Sequence, residues 1–95
     1  MENSNQNIEL LGKLLASTHR VRVFLSLSNG FKTPVQICHE VHLQLAHVSK
    51  TLRELEKMGL VRCRTPDLRK GRIYSITEEG KRFAEILKQS NPGGE

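Results

Sequence analysis

A chain of 95 residues can form one small domain with a modest hydrophobic core, which leaves little room for an active site beside a separate sensing module. Its 15 Lys and Arg exceed its 10 Asp and Glu, and the net charge of +5 favours a polyanionic partner. No apolar run approaches the roughly 18 residues of a membrane span, the amino terminus lacks a signal sequence, and the two cysteines form no paired motif. We therefore expect a cytoplasmic protein with reduced cysteines and no membrane association.

Both ends of the chain are polar or rich in glycine and proline. We expect the folded domain to cover residues 8–89, between flexible tails at 1–7 and 90–95. A first helix is predicted from Ile8, because apolar residues recur there at helical spacing. Its apolar stripe is wide for a surface helix, so more than one of its faces is expected to be covered.

Capping signals predict the next two helices. Ser17 or Thr18 can cap a second helix that runs toward the stop at Asn29-Gly30. A short extended link at Phe31-Lys32, which is a candidate third strand, leads to Thr33-Pro34-Val35-Gln36. This segment has a threonine cap, proline at the first helical position and glutamine at the third, so it predicts a helix start. The apolar positions of this third helix are Val35, Ile37, Cys38 and Val41.

The fourth helix, expected over about 45–58, carries the most information about function. Val48, Leu52 and Leu55 form an apolar stripe on one side, at about 100° per residue. Gly59 ends the helix, and a strand-like run follows. The opposite side of the helix is small or cationic, and is therefore predicted to be exposed; it carries Ala46, Lys50, Arg53 and Lys57.

Residues 61–76 are predicted to form a β-hairpin whose turn lies at 66–71 and contains Pro66, Asp67 and Gly71. Basic residues are concentrated here, with five Lys or Arg against a single Asp. On the second strand, one face is expected to carry Arg72, Tyr74 and Ile76, in alternation with Ile73 and Ser75.

A last helix is predicted after its cap at Thr77, with Glu78 and Glu79 in its first turn, where the helix dipole favours carboxylates. The first and last helices together carry more apolar surface than a small monomer can bury. They form the candidate interface of a homodimer. The residues of this interface are Ile8, Leu11, Leu15, Phe83, Ile86 and Leu87.

Two segments carry a family resemblance. Residues 48–61, from Val48 to Val61, are similar to the recognition helix of winged helix-turn-helix regulators and its exit into the wing. Tyr74-Ser75-Ile76-Thr77-Glu78-Glu79-Gly80 resembles the tyrosine-x-leucine-threonine-x-x-glycine pattern that joins the wing to the last helix. In this order, they make residues 10–88 resemble transcriptional regulators of the ArsR/MarR-like group. The resemblance implies a mainly α winged helix-turn-helix fold with a small β-hairpin, and sequence-specific binding of double-stranded DNA.

The resemblance also has a limit. Metal-sensing members of the group carry a cysteine pair in the helix before the recognition helix, and those positions fall here on Thr33 and Val35. Neither side chain is a thiolate ligand, so the resemblance does not carry over a metal site.

Candidate DNA-contacting residues lie on the fourth helix and on the tip of the hairpin. Cationic side chains can reach guanine O6/N7 or phosphates, alanine can contact a thymine methyl, and the polar residues can donate to bases or phosphates. A solvated helix face paired with Glu54 and Glu56 is the alternative, and Arg62 and Arg64 are either phosphate ligands or outward strand residues. The candidates are Gln44, Ala46, His47, Ser49, Lys50, Arg53, Arg69, Lys70 and Arg72.

Other functions receive less support. Cys38, His39, His42 and His47 do not form a compact ligand set, so we expect neither a metal nor another cofactor. No phosphate-binding glycine loop or nucleophile motif is present, so we do not expect an enzyme. A winged-helix module for a protein or RNA partner, and a ligand- or redox-responsive sensor, remain open alternatives.

Overall fold

The computed structural model describes residues 3–89, with side-chain placement from Ile8 onward. The described part contains five α-helices, a short 3₁₀ helix and an antiparallel two-stranded sheet. In chain order these elements are α1 (Asn3–Leu15), α2 (Thr18–Ser26), the 3₁₀ helix (Leu27–Asn29), α3 (Pro34–Val41), α4 (Leu45–Lys57), β1 (Val61–Cys63), β2 (Tyr74–Ile76) and α5 (Glu78–Gln89). Mainly α with one hairpin, this is the winged helix-turn-helix fold that the sequence predicts.

The helix boundaries follow the expected caps. Ser17 Oγ accepts from the backbone N–H of Arg20 at 3.2 Å and begins α2. Thr33 and Gln36 bond reciprocally at 3.2 and 2.8 Å, which forms the predicted capping box of α3. α1 begins at Asn3 rather than at the expected Ile8, so its backbone is helical for more than one turn before the apolar stripe begins. Residues 1–2 and 90–95 of the expected tails lie outside the described residues.

The hydrophobic core lies between the helices and the inner face of the sheet. α2, α3 and α4 pack on one another and supply nearly half of its buried residues, while α5 closes the end beside the hairpin. The predicted stripe of α4 is confirmed, because all three of its apolar residues are buried. The fully buried large side chains include Leu14, Phe24, Leu27, Ile37, Leu52, Leu55 and Leu60.

One residue of the expected dimer interface belongs to this core instead. Phe83 is only 2% exposed, because α5 presents it to the hydrophobic core cluster together with Ala84. Ile8 and Ile86 are 67% and 42% exposed, and Leu15 is exposed as well. Leu11 and Leu87 are half-buried against the core. The apolar surface near the two chain ends is thus real but narrower than the sequence predicts.

The hairpin is shorter than expected and its second strand is buried on both faces. β1 and β2 pair in the register Val61–Ile76 and Cys63–Tyr74, while Lys32 exchanges backbone hydrogen bonds with Tyr74 at 3.0 and 2.8 Å. This isolated bridge lies at Phe31-Lys32, where the sequence predicted a candidate third strand. Ser75 is buried as well, and its hydroxyl accepts from Arg64 Nε at 2.7 Å.

The close packing around position 80 explains why a glycine stands three residues after Thr77. A Cβ at position 80 would lie 3.0 Å from the Cβ of Ile76 and still closer to the carbonyl oxygen of Leu60. Thr77 holds this approach, since its N–H donates to that same Leu60 oxygen at 3.0 Å and its hydroxyl donates to the Gly59 carbonyl at 2.7 Å. The hydroxyl also accepts from Gly80 N–H, which confirms Thr77 as the cap of α5.

Candidate nucleic-acid interface

α4 presents a small and cationic face to solvent. Ala46, Lys50, Arg53 and Lys57 are all exposed, as the helical spacing predicts. Ser49 is half-buried at the edge of this face. Gln44 is the N-cap and is exposed, and its side chain makes no capping hydrogen bond. The first two turns of the helix therefore offer a row of donors and small side chains to a partner.

Glu54 does not neutralise this face. Its carboxylate pairs with Arg20 of α2, where Arg20 Nε donates to Oε1 at 3.2 Å. Lys50 Nζ lies 3.9 Å from the other oxygen, at the limit of an ion pair, and exposed pairs of this kind contribute little. Glu54 thus ties α4 to α2, and the ammonium of Lys50 keeps freedom to reach an anion. Lys50 and Glu54 thus form one weak pair of the kind that the solvated-face alternative expects, and that alternative stays a prediction.

His47 lies at the border between α4 and α2. Its imidazole stacks on that of His19, with ring centres 5.5 Å apart and planes inclined by 29°. Both side chains remain exposed. This contact restricts the His47 ring, so its position on the exposed face is set partly by α2.

The wing, defined here as residues 61–76, is ordered by hydrogen bonds inside its own loop. Arg72 Nε donates to the Leu68 carbonyl at 2.7 Å and Arg72 Nη2 donates to the Pro66 carbonyl at 3.2 Å. A side-chain interaction with Tyr74 raises the pKa of Arg72. Gly71 adopts φ +69°, in the left-handed region where glycine avoids strain.

These contacts separate the three predicted cations of the wing into two roles. Arg72 is half-buried and shapes the loop, which leaves only part of its guanidinium for an outside partner. Arg69 and Lys70 are exposed at the tip. Arg69 and Lys70 are thus the exposed cations of the tip, whereas Arg72 orients the loop.

A groove of about 790 Å³ lies between α4 and the wing, and we name it the α4–wing groove. Four of its lining side chains are cationic and one is a carboxylate, so the groove carries a net positive charge. Ser49, Arg53, Arg69, Lys70 and Arg72, all predicted site residues, line it together with Glu56. Gln44, Ala46, His47 and Lys50 are outside this lining, on the adjoining surface of α4.

Two apolar residues of the groove were not predicted as site residues. Val35 and Leu45, at the starts of α3 and α4, line the groove and are 54% and 50% exposed. The sequence contained a signal for Val35. It precedes the buried Ile37 by two residues, which places it about 200° away around the helix. Val35 was predicted only as one of the apolar positions of this helix, without a place in the site.

Arg64 has a structural role that the sequence left open. Besides its bond to Ser75, its guanidinium lies 5.5 Å from the ring centre of Phe31. Both contacts lie on the face of the sheet that carries Ser75. Arg62 is exposed and lines a separate groove of about 560 Å³ beside α5. The base of the wing thus contributes two exposed arginines, of which Arg64 also contacts Ser75 and Phe31.

Within residues 3–89, no three His, Cys, Asp or Glu side chains come together in a way that could hold a metal ion. Cys38 and Cys63 are free and half-buried. None of the described helices is long and apolar enough to cross a membrane.

Solved structures with the same architecture are regulators and related winged-helix proteins. The transcriptional regulator HlyU from Vibrio vulnificus superimposes with a TM-score of 0.77 at 24% identity, over 96% of this chain and 94% of that one. Mb0332 from Mycobacterium bovis has a TM-score of 0.72 at 25% identity, over 90% of this chain and 78% of that one. It is described as a homodimeric winged helix-turn-helix DNA-binding domain of a possible ArsR-family transcriptional regulator.

A ZitR variant from Lactococcus lactis has a TM-score of 0.69 at 19% identity, over 77% of this chain. The present chain spans about half of that ZitR chain, 51% of its length. No protein-family model and no curated protein sequence matches the chain. The structural neighbours confirm the winged helix-turn-helix fold and agree with the resemblance to the ArsR/MarR-like group.

Proposed function

We propose that this protein is a transcriptional regulator that binds double-stranded DNA sequence-specifically as a homodimer. In this proposal α4 enters the major groove, and the wing lies on the flanking backbone or in the minor groove. The observation that carries the proposal is the cationic α4–wing groove, in which the exposed face of a helix and a basic loop border one concave surface. The role is binding rather than catalysis.

The division of contacts follows from the geometry. Ala46, Lys50 and Arg53 project from a rigid helix whose opposite side is locked in the core, and rigid placement suits recognition of base edges. Arg69 and Lys70 project from a loop, where charge matters more than exact direction, and this suits phosphates. The description of Mb0332 as a DNA-binding domain supports DNA as the partner, without bearing on this division of contacts.

The homodimer is proposed from the exposed apolar residues near the chain ends. Ile8, Leu15 and Ile86 are exposed large hydrophobic residues on α1 and α5, and a second copy would bury them. The homodimeric state described for Mb0332 is consistent with this arrangement. A two-fold pair would place the recognition helices about 34 Å apart, with half-sites about 10 base pairs between centres.

Salt-dependent binding tests the proposal. Fragments selected from a random duplex pool supply the preferred site, and its dissociation constant is measured from about 50 to 200 mM salt. A dimer that neutralises roughly eight phosphates gives a log–log slope of about −7. An unrelated duplex of equal length and base composition serves as the control, and should bind more weakly with a similar slope.

Four outcomes contradict the proposal in different ways. No duplex binding at low salt removes the DNA-binding function. Binding with a slope near zero removes the cationic groove as its cause. Equal affinity for selected and unrelated duplexes removes sequence specificity, and stronger binding to single-stranded RNA of the same sequence indicates the RNA-binding alternative instead.

A further inference from the structure

The α4–wing groove combines two features that a phosphate backbone alone does not require. Its rim is cationic, with Arg53, Arg69 and Lys70, while its wall includes the exposed apolar side chains of Val35 and Leu45. An exposed apolar patch rimmed by polar residues marks an interaction site. The partner should therefore be anionic on its surface and apolar at the point where it meets Val35 and Leu45.

Val35 and Leu45 occupy similar positions in their helices. Leu45 is the first residue of α4 and Val35 the second of α3, so both lie at helix starts that face the same groove. Leu45 and Ser49 are separated by four residues and lie on one side of α4, next to Arg53. Apolar and hydrogen-bonding side chains thus share the surface that faces the partner.

Duplex DNA has one group that fits this description. The 5-methyl of thymine is the apolar group exposed in the major groove, and it lies between two phosphate backbones. Cytosine, guanine and adenine carry no methyl group at the major-groove edge, and RNA lacks this methyl because it contains uracil. Charge complementarity along the rim and apolar contact at Val35 and Leu45 therefore select the same partner.

We propose that Val35 and Leu45 form a thymine-methyl contact that gives this protein a preference for thymine at defined positions of its site. This inference rests on the proposed function and adds the base that the site reads. Lys50 and Arg53 then act beside a contact that carries no charge, so the preference for thymine should persist at salt concentrations that weaken phosphate contacts.

Removal of single methyl groups tests this contact directly. In the selected duplex each thymine is replaced in turn by deoxyuridine, which deletes the 5-methyl and keeps base pairing and charge. The wild-type protein should lose about fourfold in affinity at one or two positions per half-site, the factor that matches burial of one methylene-sized group. At the other thymines affinity should change by less than about 1.5-fold, as expected where no methyl is contacted.

Protein variants assign the effect to the pair. Leu45→Ala should reduce the deoxyuridine effect at its position, because the shorter side chain leaves the methyl less apolar contact, while the salt slope stays unchanged. Val35→Thr is a second variant that keeps the shape of the side chain and should reduce the effect. Leu68→Ala is the matched control, since Leu68 is 46% exposed on the wing but does not line the groove. Thermal unfolding verifies that each variant is folded.

The inference and the proposed function fail in distinguishable ways. If wild-type protein binds the selected duplex with the expected salt slope but no deoxyuridine replacement weakens it, the thymine contact is wrong and DNA binding stands. The inference is also overturned if the deoxyuridine effect persists unchanged in Leu45→Ala, or if Leu68→Ala removes it to the same extent. Absence of duplex binding in the wild type overturns both.

Discussion

Substitution of Gly80 by alanine should destabilise the fold far more than the loss of one hydrogen atom suggests. The added Cβ would lie 3.0 Å from Ile76 Cβ and 3.2 Å from the carbonyl carbon of Leu60, and closer still to the Leu60 oxygen. Because the closest atoms belong to the backbone, no side-chain rotation relieves the clash. α5 must move away from the turn that joins α4 to the wing.

The cost follows from what that movement disrupts. Overpacking of this kind costs about 1–3 kcal/mol. The displaced helix also weakens the bonds of Thr77 to Leu60 and Gly59, each worth about 1 kcal/mol. The higher helix propensity of alanine offsets at most about 1 kcal/mol of this loss of stability. We expect a net loss near 2–3 kcal/mol, which lowers the Tm of a domain of this size by about 8–24 °C.

Thermal unfolding followed by far-UV circular dichroism, at one fixed protein concentration, measures the effect. Gly12→Ala is the matched control, because Gly12 lies inside α1 and a Cβ there meets nothing within 4 Å. Alanine at position 12 should raise the Tm by about 2–8 °C, through helix propensity alone. A Gly80→Ala protein that melts within 3 °C or so of the wild type would refute the packing argument.

Three further predictions concern the DNA contacts of α4 and the wing, the stability of the core, and the dimer. Lys50→Ala or Arg53→Ala should weaken binding to the preferred site by about 1–3 kcal/mol more than binding to unrelated DNA. Arg69→Ala or Lys70→Ala should weaken binding to both DNAs equally and reduce the salt slope by about one unit. Competition assays in which all four variants lose affinity equally for both DNAs would contradict this division. Leu55→Ala should lower the free energy of unfolding, measured with denaturant, by about 2–5 kcal/mol, since Leu55 is fully buried. A Lys50→Ala protein with a comparable loss of stability would show that the exposed face of α4 was misassigned. Ile8→Glu and Ile86→Glu should shift sedimentation toward the monomer and weaken DNA binding, and a wild-type protein that sediments as a monomer would remove the proposed dimer.

Local signals in the sequence were sufficient for most of the architecture. Thr33-Pro34 and Thr77 identify helix starts because capping is a contact between a side chain and backbone three residues away, and both caps are present in the structure. Likewise, the stripe Val48, Leu52 and Leu55 determines which side of α4 is buried, and so which side is exposed. The cationic face of α4 and the basic tip of the wing were therefore predictable from spacing alone.

Contacts between distant segments decided the rest. Phe83 belongs to the core and Val35 does not, because burial depends on which element packs against each face and not only on residue type. Ser75 is buried in β2 and accepts a hydrogen bond from Arg64, which lies eleven positions earlier in the chain. Arg72 shapes the wing through carbonyls of the loop rather than standing free.

The sequence by itself determined the helix starts, the buried side of α4 and the places where positive charge accumulates, since each depends on residues within a few positions of one another. Tertiary structure alone decided that α4 and the wing enclose one groove, and that Val35 and Leu45 stand in its wall. A groove is formed by elements brought together from separate parts of the chain. Its shape and its apolar content depend on how those elements pack, which no local pattern specifies.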